Sequence, residues 1–217
     1  MSYSLNTTNL NPLSEKKPEN AVILCHGYGG DGKDISILAN YWRTYLPDTI
    51  FICPDAPEKC AVSSSGYQWF DLMEQTQDQI LSKSLVAEMK LNQLIDEVKE
   101  NNNLSSDKIA LGGFSQGCMI SLQTGIKRKD KIKCIIGYSG RIIDLSHLQQ
   151  NIISKPEIFL LHGDKDQVVP ISSLLESKDF FKKNNYIIET HILKDCEHRI
   201  PVEGSSLGLE FIKKNLY

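Results

Sequence analysis

Lys108-Ile109-Ala110-Leu111-Gly112-Gly113-Phe114-Ser115-Gln116-Gly117-Cys118-Met119-Ile120-Ser121-Leu122 is the stretch whose reading decides the fold. It begins as a short apolar run, passes through Gly113-Phe114-Ser115-Gln116-Gly117, and continues as a second apolar segment. That order reads as a buried strand, a sharp turn and a buried helix. In a G-x-S-x-G turn the serine holds a strained backbone that lifts its hydroxyl above the sheet. Strand and helix then lie so close that side chains two residues either side of the serine would collide, so both positions are glycine.

Outward from this turn, short β-branched runs alternate with longer amphipathic segments. This is the pattern of a mostly parallel sheet with helices on both faces. Strands are predicted at Ala21 to Cys25, Ile50 to Cys53, Lys108 to Gly112, Ile132 to Tyr138, Ile158 to Leu161 and Tyr186 to Leu193. Helices are predicted around Ile35 to Tyr45, Gln77 to Asn101, Gln116 to Arg128, Ser172 to Lys183 and Gly204 to Asn215. In the second helix, Ile80, Leu81, Leu85, Met89, Ile95 and Val98 recur at three- and four-residue spacing and predict the buried stripe. Residues 1–20 are polar and contain Pro12 and Pro18, so they predict a leading strand or hairpin without chemistry. The long segment Pro54 to Met73, with Tyr67, Trp69, Phe70 and Leu72, is either a plug for the core beneath it or the wall of an apolar groove.

The chain has 217 residues, enough for one domain with a substantial core. Its 41% hydrophobic and 24% charged residues and net charge of -3 are ordinary for a soluble globular protein, with no basic excess to suggest a nucleic-acid partner. No apolar run is long enough to span a bilayer and the amino-terminal segment is not an apolar leader, so a cytoplasmic location is expected. Cys25, Cys53, Cys60, Cys118, Cys134 and Cys196 form no C-x-x-C pair and read as buried thiols. Cys196 and His198 lack the second pair that a zinc site would need.

A serine hydroxyl needs a base within hydrogen-bond reach, usually a histidine oriented by a carboxylate, and behind a G-x-S-x-G turn the chain order is serine, acid, histidine. Of the histidines after Ser115, His191 lies in a predicted strand and His147 in a polar stretch. His198 follows the last strand and precedes the last helix, on a loop able to reach back over the carboxyl edge of the sheet. The loop His162-Gly163-Asp164-Lys165-Asp166 offers two acids, and spacing alone leaves both Asp164 and Asp166 open. The amide of Gln116 and an amide of His26-Gly27-Tyr28-Gly29-Gly30, most simply that of Tyr28, would form an oxyanion hole. The glycines there complete neither a G-x-G-x-x-G pattern nor a P-loop.

His26 to Gly30, Gly66-Tyr67-Gln68-Trp69-Phe70, Gly113 to Gly117, His162 to Pro170 and His198, in that order, resemble the phospholipase/carboxylesterase family, which includes acyl-protein thioesterases. The resemblance covers nearly the whole chain and implies one α/β-hydrolase domain over residues 1–217 with no large cap. Its H-G-x-x-D-x-x-V-P pattern carries the catalytic acid onto Asp166, the base onto His198 and the oxyanion donors onto Tyr28 and Gln116. It likewise implies Trp69, Phe70 and Val168 as substrate-binding residues. The implied reaction is hydrolysis of esters or thioesters through an acyl-enzyme on Ser115, with no metal or organic cofactor. The substrate would be a small-molecule or lipid ester or an acylated protein, and a homodimer is compatible with the sequence. An inactive binding protein on the same fold is the competing class, opposed by the complete set Ser115, Asp166 and His198. Cys196, Glu197 and Arg199 depart from the small or glycine-bearing context that the family often has around its histidine.

Overall fold

A computed structural model describes residues 3–73 and 76–217. The elements in chain order are β1 (Thr7–Leu10), β2 (Asn20–Cys25), α1 (Gly32–Trp42), β3 (Thr49–Pro54), β4 (Glu58–Lys59), β5 (Tyr67–Gln68) and α2 (Gln77–Asn102). They continue as β6 (Ile109–Phe114), α3 (Gln116–Ile126), β7 (Cys134–Tyr138), α4 (Leu145–Gln150), β8 (Glu157–Gly163), α5 (Ser172–Lys183), β9 (Ile188–Leu193) and α6 (Val202–Leu216). Seven strands form one sheet in the order β1-β3-β2-β6-β7-β8-β9. All neighbours pair in parallel except β1, which runs antiparallel to β3. β1 is the leading strand expected of the amino-terminal segment, whose Met1 and Ser2 lie outside the described residues.

The pleat divides the core in two, because successive side chains leave a strand on opposite faces. Ala21, Ile23 and Cys25 of β2 join Ile50 and Ile52 of β3 and Ile109 and Leu111 of β6 on the face covered by α2, α3 and α5. Val22 and Leu24 join Phe51, Ala110 and Ile136 on the face covered by α1 and α6, around the fully buried Trp42. Helices on both faces leave only the strand ends open, and the carboxyl edge of such a sheet is where sites form.

A helix start, an added helix and a helix face differ from the sequence reading, each for a reason visible in the side chains. α1 begins three residues early at Gly32, because the Asp31 side chain accepts from the Asp34 N–H and the Asp34 side chain accepts from the Asp31 N–H, a complete capping box. α4 is an extra short helix, capped by Asp144 accepting from His147 N–H at 2.7 Å. In α2 the stripe is rotated: Leu85 and Met89 are exposed, while Ser84, Ala87, Glu88 and Leu91 are buried. The cause is the polar partner on α3. Gln123 donates to Ser84 Oγ and to Glu88 Oε2 at 3.0 Å each, and Lys127 Nζ pairs with Glu88 Oε2 at 2.7 Å. Apolar periodicity cannot reveal a face that is buried through paired polar groups.

Candidate active site

Ser115 sits between β6 and α3 with φ 53° and ψ −116°, a conformation that a side-chain-bearing residue adopts at a cost of about 1–3 kcal/mol. A Cβ on Gly117 would overlap the Cys25 carbonyl, and one on Gly113 would come within 2.5 Å of the Gly117 backbone. Packing of the turn against β2 therefore holds the strain, and only glycines leave room for it.

His198 arrives from the loop after β9 and closes on the serine. Its Nε2 lies 2.9 Å from Ser115 Oγ and its Nδ1 2.7 Å from Asp166 Oδ2. The carboxylate fixes the tautomer: Nδ1 carries the proton toward Asp166, leaving Nε2 to accept from the serine hydroxyl. The Phe114 ring, 4.7 Å from the imidazole centre, packs against it.

The Asp166 side chain has no exposed surface. Burial by itself raises its pKa, but hydrogen bonds from His198 and from the Val169 and Val168 amides, each amide 2.9 Å from Oδ1, outweigh it and hold the carboxyl below the usual aspartate value. His162, buried beneath, donates from Nε2 to the Val169 carbonyl at 2.8 Å and lies 3.4 Å from Asp166 Oδ2. Burial lowers its pKa, so it is a neutral prop for the acid loop.

Of the two acids left open by spacing, only Asp166 touches His198. The Asp164 side chain instead accepts from the Cys196 N–H at 3.3 Å and so braces the histidine loop. Of the unusual residues around His198, Cys196 is buried and packed against Gly163, while Glu197 and Arg199 are exposed.

The glycine-rich loop after β2 faces the serine from the other side. Among the described residues, the N–H groups of Tyr28 and Gln116 have no backbone acceptor. Their neighbours are tied down. Gly29 N–H donates to the Tyr67 carbonyl at 2.9 Å and Tyr67 N–H to the Gly30 carbonyl at 2.8 Å. His26, whose pKa is lowered by burial, donates from Nδ1 to the Gly27 carbonyl at 2.7 Å and accepts at Nε2 from Ala56 N–H at 2.9 Å.

Trp69 and Phe70, expected on a groove wall, are each 1% exposed and belong to the core. The Trp69 indole N–H donates to the His26 carbonyl at 3.0 Å, and the Trp69 backbone N–H donates to Gln116 Oε1 at 2.8 Å. Gln116 Nε2 in turn donates to the Phe70 carbonyl at 2.6 Å. The segment Pro54 to Met73, with its β4–β5 ribbon, thus plugs the core and splints the glycine-rich loop, the first of the two roles open to it. Val168, by contrast, is 69% exposed and lies on the surface beside His198, with Lys165, Gln167 and Arg199.

The splinting roles of His26, His162 and the Gln116 side chain were not legible in the sequence, although they stand in the segments His26 to Gly30, His162 to Pro170 and Gly113 to Gly117. Replacing Gln116 by Ala keeps the backbone N–H but strands a buried donor and a buried acceptor. Unfolding free energy should therefore fall by about 2–5 kcal/mol, read by urea denaturation.

The model of the family described as phospholipase/carboxylesterase matches residues 12–216. The chain is 32% identical over 212 residues to acyl-protein thioesterase 1 of Saccharomyces cerevisiae, covering 90% of this chain and 92% of that protein. It is 30% identical over 214 residues to acyl-protein thioesterase 1 of Yarrowia lipolytica, covering 90% of this chain and 91% of that protein. Among solved structures, esterase PE8 superposes with a TM-score of 0.93 at 32% identity, covering 98% of this chain and 99% of that chain. Zea mays acyl-protein thioesterase 2, with a TM-score of 0.79 at 20% identity and coverage of 98% and 99%, shares the fold.

Proposed function

The chain belongs to the phospholipase/carboxylesterase family and is a hydrolase of carboxylic esters or thioesters; from that premise we propose that Ser115 is its nucleophile, His198 its base and Asp166 its acid. The observation that carries this is the unbroken relay from Ser115 Oγ through His198 to Asp166, at 2.9 and 2.7 Å. His198 Nε2 takes the serine proton as Oγ attacks the acyl carbonyl, and the Tyr28 and Gln116 N–H groups receive the developing oxyanion. Asp166 holds the imidazole in place and balances the charge it gains. His198 then returns the proton to the departing oxygen or sulfur, the acyl group stays on Ser115, and a water activated by the same imidazole releases the acid.

A carboxylesterase acting on small-molecule or lipid esters is the reading the site supports, and no large cap restricts access to Ser115. The yeast relatives named acyl-protein thioesterase favour a second substrate, an S-acylated protein. Both use the same acyl-enzyme. No helix among the described residues is long and apolar enough to cross a membrane. The six cysteines are all buried and unpaired, which supports a reducing, cytoplasmic setting.

One site should serve both bond types. The protein should hydrolyse an acetyl oxyester and the matching acetyl thioester, and titration with a fluorophosphonate should remove both activities in parallel. Loss of one without the other would refute a shared nucleophile.

A further inference from the structure

A groove leads away from His198 over the face of the sheet that carries α1 and α6. Its near half, about 370 Å³, is lined by Tyr28, Phe114, His198 and Arg199. Asp34, Ile35 and Ile200 continue into a far half of about 320 Å³, walled by Ile37, Leu38, Tyr41, Pro201 and Val202. Asp34, Ile35, Leu38 and Tyr41 follow one another along one face of α1 at helical spacing. That face extends about 10 Å from Asp34 to Tyr41, the length of roughly eight carbon–carbon bonds in an extended chain.

Which half of a substrate the groove suits follows from the proton path. The proton that His198 receives must be handed to the departing oxygen or sulfur, so the leaving group lies against the imidazole. His198 lines the groove, together with Tyr28 and Phe114. We infer that the groove is a subsite for the leaving group, an alcohol or thiol bearing an uncharged apolar chain or ring. Among the described residues Asp34 is the one charged residue on the far wall, and its carboxylate accepts from the Asp31 N–H at 3.2 Å. A phosphate-bearing headgroup there would meet that negative charge, while an aliphatic chain meets isoleucine, leucine and valine. Ile37 and Val202, 75% and 79% exposed, form the outer rim and are covered by nothing among the described residues.

This subsite rests on the assignment of Ser115 and His198, and the test separates the two. Acetate esters of alcohols from ethyl to decyl are compared with ethyl esters of acids from acetate to decanoate, in the unmodified protein and in Val202→Asp and Ile37→Asp. Both substitutions are at exposed positions and leave the core intact. In the unmodified protein, kcat/KM should climb with alcohol length by up to about fourfold per methylene and keep rising to at least about eight carbons. The octyl-to-ethyl acetate ratio should drop about tenfold or more in each variant, as a charge is placed beside the chain. The acid-length series should move by less than about threefold, since it reports a different part of the site. A flat alcohol series, a ratio unchanged in both variants, or an acid series that shifts instead would overturn the subsite while leaving the triad standing. No hydrolysis of any ester together with no fluorophosphonate labelling would overturn both.

Discussion

Ser115→Ala is expected to lower kcat by roughly five to six orders of magnitude, which corresponds to about 7–8 kcal/mol of lost transition-state stabilisation. The size follows from what one oxygen does. In the proposed mechanism it is the attacking atom, and without it no acyl-enzyme forms, so neither His198 nor Asp166 retains a function in covalent catalysis. The residual rate comes from oxyanion donors and a general base acting on water. Stability should change by less than about 1 kcal/mol, because the hydroxyl contributes one part-buried hydrogen bond and the strained backbone is fixed by Gly113 and Gly117 in either variant. Initial rates and urea unfolding on the same preparations separate the two effects. A comparable loss of activity with an unfolded protein would not count in favour of the assignment.

The second large effect distinguishes two aspartates two residues apart. Asp166→Asn should reduce kcat by about four orders of magnitude, while Asp164→Asn should stay within about fivefold of the unmodified protein. An amide at position 166 can present its NH2 to His198 Nδ1 and stabilise the tautomer protonated on Nε2, which cannot accept the serine proton. At position 164 an amide oxygen can still accept from Cys196 N–H, so the histidine loop keeps its brace. Acid stability carries a matching signature. The carboxyl of Asp166 titrates below its unfolded value in the folded protein, so its contribution is complete above about pH 4 and is lost as pH falls through the lowered folded value. Asp166→Asn should remove that part of the acid unfolding limb. Equal loss of activity in both variants would break the assignment.

The sheet was legible because parallel strands buried on both faces leave short apolar runs, and Ala21 to Cys25 or Ile158 to Leu161 have no other use. The turn at Ser115 was legible because steric crowding writes itself as two glycines at fixed spacing. Tertiary contact was not. Leu85 and Met89 satisfied an apolar stripe, yet Ser84 and Glu88 face α3 because Gln123 and Lys127 are there to pair with them. Trp69 looked equally suited to a groove and to a core. Its place was decided by bonds to His26, 43 residues before it, and Gln116, 47 residues after it, separations that carry no periodic signal. Asp164 and Asp166 were separable only by the loop's turn, in which the Val168 and Val169 amides fold back onto one carboxylate. The resemblance to the family pointed to Asp166, the carboxylate that lies against His198 in the structure.

Covalent capture of the nucleophile tests this account most directly. The protein is treated with a fluorophosphonate, its intact mass is measured, and the adduct is located by sequencing the labelled peptide. One adduct per chain on Ser115, absent from Ser115→Ala, is the predicted result. No adduct, or one on any other residue, would contradict the assignment of Ser115 as the residue that carries the acyl group.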